Sequence, residues 1–181
     1  QFRDTLYIFG KNAIKSLTGT NIADFVVGEV TTNLGCVVPD SVIELGGSLI
    51  FLGPDGFRPV AGTSKIGDVE LETISKQIQF TITAILQELV AGSIDPELLS
   101  SVVIRKKSQF RFFFKNDSSL SLIGAIRKSQ NKQSIFEYSQ LIGIEANCVA
   151  SGYIGQFEHV IHGDGSGKVF RQEKGQSFNG G

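Results

Sequence analysis

The chain has no methionine, no tryptophan, only two cysteines and no long apolar run. Each absence narrows the field. Without methionine there is no initiator residue, and the chain starts in mid-pattern at Gln1-Phe2-Arg3 and stops at Asn179-Gly180-Gly181. It therefore reads as a piece of a larger polypeptide, with a processed mature protein as the rival reading. Cys36 and Cys148 give neither a metal-ligand spacing nor a disulfide framework. Both stand among apolar neighbours and are expected as small buried hydrophobes. No apolar stretch approaches the roughly 18 residues of a membrane span, and no signal peptide is visible. A soluble protein without a membrane partner is expected.

What is present points to β structure. The 181 residues include 21 glycines and 14 phenylalanines, enough chain for one sizeable domain or two small ones that bury roughly 70% of the unfolded surface. A strand–turn–strand cassette recurs. Leu49-Ile50-Phe51-Leu52 leads through Gly53-Pro54-Asp55-Gly56 into Phe57-Arg58-Pro59-Val60, and His159-Val160-Ile161-His162 leads through Gly163-Asp164-Gly165-Ser166-Gly167 into Lys168-Val169-Phe170. A looser copy spans Leu6–Leu17. Repeated hairpins imply one architecture assembled from similar β units.

Strand signals fall at 6–9, 13–17, 25–30, 36–38, 41–45 and 48–52. They return at 102–105, 109–115, 121–127, 135–138, 145–151, 158–162 and 168–172. Spacing of about 8 to 12 residues with Gly, Asn or Ser punctuation suits a sandwich, barrel or propeller. Gly46-Gly47 has the composition of a primed hairpin turn, and Asn12 is suited to positive φ between the first two strands. In 69–90 the apolar residues Leu71, Ile74, Ile78, Ile82, Ile85, Leu86 and Leu89 fall close to helical spacing, which predicts one helix over Ser75–Ala91 capped by Gly92. Asp95-Pro96-Glu97 reads as a second, very short helical start. The polar, Gly-rich stretch from Glu173 reads as a linker or a strand awaiting its partner. The resulting organisation is a single β-rich region, with β units over 1–70, a helical connection over 71–98 and further β units over 99–175.

Few residues suggest chemistry. His159 and His162 lie three apart on one strand and so point to opposite faces, which denies them a joint metal site. The loop 163–167 lacks the Gly-Lys-Ser/Thr and following helix of a phosphate loop, and Asp164 alone cannot make a calcium loop. Pro54, Asp55, Gly56, Asp164, Gly165 and Gly167 are expected as structural turn residues, the Asp side chains bonding their own backbone. No paired carboxylates, nucleophile elbow or cofactor motif supports an enzyme, and no cofactor or metal is expected.

The strongest local oddity is 105–115, Arg-Lys-Lys-Ser-Gln-Phe-Arg-Phe-Phe-Phe-Lys. Alternation sets Phe110, Phe112 and Phe114 on one face and Arg111, Phe113 and Lys115 on the other. Arg105, Lys106, Lys107, Arg111 and Lys115 could neutralise a polyanion or form a subunit interface, or simply be the solvated side of a strand with a Phe core. Charge is divided along the chain. Residues 1–100 carry 6 basic and 12 acidic side chains, net −6, and residues 101–181 carry 11 and 6, net +5. Such a division fits either a nucleic-acid face or complementary surfaces of an oligomer.

Two stretches, Phe51–Thr63 running into Ile66–Lys76 and Glu158–Gly180, resemble tail tubular (nozzle) proteins of short-tailed bacteriophages. Their shared style is an apolar strand, an Asp-Gly turn, an aromatic strand and a Gly-x-Ser-Phe-Asx-Gly ending. Gln109-Phe110-Arg111-Phe112-Phe113 and Ile123-Gly124-Ala125-Ile126 look similar as well. The resemblance implies β-propeller blades, here a partial propeller of antiparallel units with one helix. It also implies a homo-oligomeric ring, and a virion location after assembly in the host cytoplasm. The implied role is a channel segment for DNA ejection and a platform for adaptor and fibre proteins. A β-propeller module that binds protein or glycan, through exposed aromatics such as Phe57 or Tyr153, is the alternative.

Overall fold

The computed structural model describes residues 2–60, 73–95, 99–114, 121–128 and 134–174. Within them the chain is mainly β, with four antiparallel sheets and one α-helix. No sheet closes on itself. Contacts divide the chain into two compact units, Gln1–Leu86 and Gln87–Gly181.

The first unit contains two three-stranded meanders. β1 (Leu6–Phe9), β2 (Ile14–Thr18) and β3 (Val26–Thr31) pair in order, as do β4 (Ile43–Leu45), β5 (Ser48–Gly53) and β6 (Gly56–Pro59). Gly46 and Gly47 both have positive φ, 63° and 78°, and close the two-residue loop between Leu45 and Ser48. Only residues without a Cβ penalty adopt that pair of conformations readily. Asn12 does not share this role. Phe9 pairs with Ile14, so the link is a four-residue loop closed by Gly10 N–H donating to Ala13 O at 2.8 Å, and it needs no left-handed asparagine.

Alternation decides which face is buried. Tyr7 and Phe9 of β1 turn toward a core of Ile14, Cys36, Phe51 and Val60, and the Phe9 and Phe51 rings lie 5.3 Å apart. Residues 36–38, expected as a strand, are irregular. Cys36 N–H donates to Gly10 O and Val37 N–H to Leu52 O, so the segment is satisfied by two separate elements rather than by one ladder. After residue 73 the backbone returns to the β5–β6 hairpin. Phe57 N–H donates to Ser75 Oγ and Ile74 N–H to Phe57 O. A short 3-10 turn over Lys76–Ile78 then leads into α1 (Gln79–Ala91), where Ile82 and Ile85 are buried and Gly92 has φ 75°. Of the short helix expected at Asp95-Pro96-Glu97, Pro96 and Glu97 lie outside the described residues.

The second unit holds a four-stranded meander, β7 (Ser100–Ile104), β8 (Gln109–Phe113), β9 (Ser121–Lys128) and β10 (Ser134–Leu141). A three-stranded meander follows, β11 (Cys148–Ile154), β12 (Phe157–Gly163) and β13 (Val169–Arg171). Its core joins Val102, Ile104 and Phe113 to Val160, with Val149 packed alongside, and Ser151 Oγ donates to Val103 O at 2.8 Å. The two sheets thus face each other through one side of β7–β8 and one side of β11–β12. Gly124 opposes Phe110 across β8–β9, and a Cβ there would stand 2.1 Å from the Phe110 ring. That close approach is what requires glycine in a strand interior. Phe110 contacts Phe112 and Tyr138 edge-on, with centroids 5.2 and 6.1 Å apart.

Candidate functional site

The basic segment forms a corner rather than one exposed strand. Arg105–Lys107 make a 3-10 turn, and Ser108 reverses the chain in the left-handed region, φ 49°. The backbone N–H groups of Arg105 and Lys106 donate to Glu158 Oε1 and Oε2, each at 2.9 Å. One carboxylate on β12 thereby satisfies two amide donors at the start of the turn, as an N-terminal cap does. The side chains of Arg105 and Lys106 remain exposed.

Arg111 departs most from expectation. Its face of β8, the side shared with Val102 and Phe113, is covered by the β11–β13 sheet, and the residue is 5% exposed. The guanidinium donates to Gln109 Oε1 at 2.9 Å and Gln172 Oε1 at 2.6 Å, and it pairs with Glu173. Lys107 Nζ reaches the other Glu173 oxygen at 2.6 Å. Burial pushes the Glu173 carboxyl up, but hydrogen bonds and charge from Lys107 and Arg111 outweigh it and hold the group below its ordinary value. A buried guanidinium with four of its five N–H donors engaged in this way, behind the β11–β13 sheet, is poorly placed to bind a phosphate backbone. Of the five basic residues expected together, the structure leaves Arg105 and Lys106 open, ties Lys107 and Arg111 to Glu173, and Lys115 lies outside the described residues.

Both Asp turns are closed on themselves. Asp164 Oδ1 accepts the N–H groups of Ser166 and Lys168, each at 2.9 Å, and the Ser166 hydroxyl lies 2.8 Å from both carboxylate oxygens. The Lys168 amide and the Ser166 hydroxyl hold the carboxyl below its ordinary value. Gly167 supplies φ 81° at the bend and Gly165 the exposed tip. In the other turn Asp55 pairs with Arg58, which lowers its pKa, and Gln79 Nε2 donates to Asp55 O at 2.9 Å. Here the carboxylate accepts from its own backbone, as expected, and bonds the Arg58 side chain as well. Gly56, φ 144°, lets Thr73 and Ser75 approach within 2.6 Å of where a Cβ would be.

The histidines point to opposite faces of β12, as expected. His162 stacks on Phe170 at 5.2 Å and its Nδ1 lies 3.3 Å from Gln172 Nε2. His159 Nε2 lies 3.3 Å from Arg171 on the outer face. Cys36 is buried, its thiol 2.9 Å from Val38 O, and burial pushes its pKa up, which disfavours the reactive thiolate. Cys148 is exposed, contrary to expectation, because alternation along β11 turns it to the outer face. Phe57 is fully buried while Tyr153 is exposed. An apolar cavity of about 300 Å³ is lined by Tyr7, Phe9, Cys36, Pro39 and Val42 among others.

Among the described residues no group of three or more His, Cys, Asp or Glu could hold a metal ion, and no helix is long and apolar enough to cross a membrane. No protein-family model matches the chain, and no curated protein does.

Proposed function

We propose that the chain is a structural component of a bacteriophage tail, a nozzle subunit whose antiparallel meanders are blades of a propeller-like assembly. It contributes to an oligomeric channel for DNA ejection and to a platform for adaptor and fibre proteins. The supporting observation is the repetition of consecutive antiparallel meanders that, within each compact unit, pack face against face. Blades of a propeller are short meanders stacked in this manner. The Asp-Gly bends fit the same reading, since their carboxylates are spent on the loop itself or on Arg58. Arg105 and Lys106 are among the exposed cations available to passing DNA.

Cryo-imaging of assembled tails with this chain labelled tests the proposal. Density for the label at the tail channel supports it, and a virion lacking the chain refutes it. A second reading, a propeller-like module for protein or glycan, draws on exposed Tyr153 beside the β11–β12 hairpin. A glycan array without hits removes its carbohydrate form.

A further inference from the structure

Two sheet faces carry large apolar side chains in solvent. On the outer face of β11–β13, cross-strand register aligns Ile154 with Phe157 and Ile161 with Arg171, while His159 and Val169 fall on the same side by alternation. Ile154, Phe157 and Val169 are each about 70% exposed. On the outer face of β1–β3, Leu6, Leu17 and Val27 align in one row and Lys15 and Glu29 in the next, with Ile8 opposite Lys15. Leu6, Ile8 and Val27 are between 45% and 63% exposed. Contiguous apolar faces of this kind mark interaction surfaces.

The polar groups on the two faces differ: those of β11–β13 are basic, whereas β1–β3 presents Lys15 and Glu29 side by side. On β11–β13 the exposed Arg171 lies against a histidine rather than a carboxylate, and Lys174 adds positive potential there. On β1–β3 Glu29 is exposed, and among the described residues it forms no ion pair with its cross-strand neighbour Lys15. The same polarity runs through the whole chain, which is acidic in its first 100 residues and basic beyond them.

From these observations we infer that the occupant of the β11–β13 face is a second copy of this chain, docked through its β1–β3 face with Glu29 opposite Arg171. Because the two surfaces are different, the contact is heterologous and repeats from copy to copy, which closes a ring if the rotation allows. Apolar stacking supplies the attraction and the single charge pair sets orientation. This inference rests on the ring reading above and names its subunit contact.

The test is sedimentation velocity of the full chain as wild type, Glu29→Arg, Arg171→Glu and the double exchange, with circular dichroism to verify folding. Each single exchange weakens self-association about tenfold or more, since like charges then face each other, and the double exchange recovers it to within a few-fold. A Phe157→Ser variant, which adds no charge and is not the cross-strand partner of Arg171, also weakens association. If all variants assemble like wild type, this contact is overturned while the ring reading survives. Assembly lost in the singles and not recovered in the double also overturns it. A wild-type chain that never self-associates removes both.

Discussion

Arg111 and Glu173, 62 positions apart in sequence, meet where the four-stranded and three-stranded sheets of the second unit face each other. The guanidinium is nearly buried, whereas Glu173 keeps 38% of its side chain in solvent. Arg111→Met therefore strands Gln172 and a partly solvated carboxylate. The expected loss is about 2 kcal/mol, below the ~3–5 of a fully buried pair. Arg111→Lys recovers only part of this, because an ammonium cannot reach Gln109, Gln172 and Glu173 together. Guanidinium denaturation midpoints check both, and an unchanged midpoint in Arg111→Met contradicts the packing described.

Gly124→Ala drives a methyl into the Phe110 ring, and that ring is locked between Phe112 and Tyr138. A cost on the order of 1–3 kcal/mol follows from overpacking. Phe110→Leu in the same chain relieves part of it, so the double-mutant cycle shows a favourable coupling. Strict additivity would mean the two residues do not oppose each other.

Asp164→Ala removes the acceptor for two amide groups and a hydroxyl in an exposed turn and lowers the melting temperature slightly. Asp164→Asn retains an acceptor oxygen and loses less. Calcium and inorganic phosphate leave the melting temperature of the wild type unchanged. A calcium-dependent rise that vanishes in Asp164→Ala would convert the bend into an ion cradle.

Acid destabilises the fold in two stages. His162 lies below its ordinary value of 6.5, chiefly through burial. The unfolded chain thus binds its proton first, and stability complete above about pH 6.5 declines as the pH falls below it. Asp55, Asp164 and Glu173 are also lowered, from ordinary values of 3.8, 3.8 and 4.5. Their contribution is present above those values and is lost as the pH drops through the folded pKa values. Denaturation midpoints between pH 8 and 3 check the order, and His162→Phe shrinks the first stage, which His159 shares, while leaving the second unchanged.

Local chemistry made the hairpins legible. Gly46-Gly47 and Asp164-Gly165 announce their turns because few other residues tolerate those backbones or close those loops. The helix was visible in its apolar spacing, although its first turn is 3-10 and α geometry begins at Gln79. Arg111 was not legible. Strand alternation assigns it a face, but whether that face meets water depends on a sheet about 50 residues further on and on Gln172 and Glu173, which read as a polar tail. Cys36–Val38 failed for a similar reason: its hydrogen bonds go to Gly10 and Leu52, a long-range arrangement without a local pattern. The two outer faces could have been found by aligning alternation across neighbouring strands, which requires the register that only the fold provides.

Native mass spectrometry of the purified chain over a range of concentrations tests the central claim most directly. A closed ring of identical copies is the predicted species. A chain that stays monomeric throughout would contradict the account.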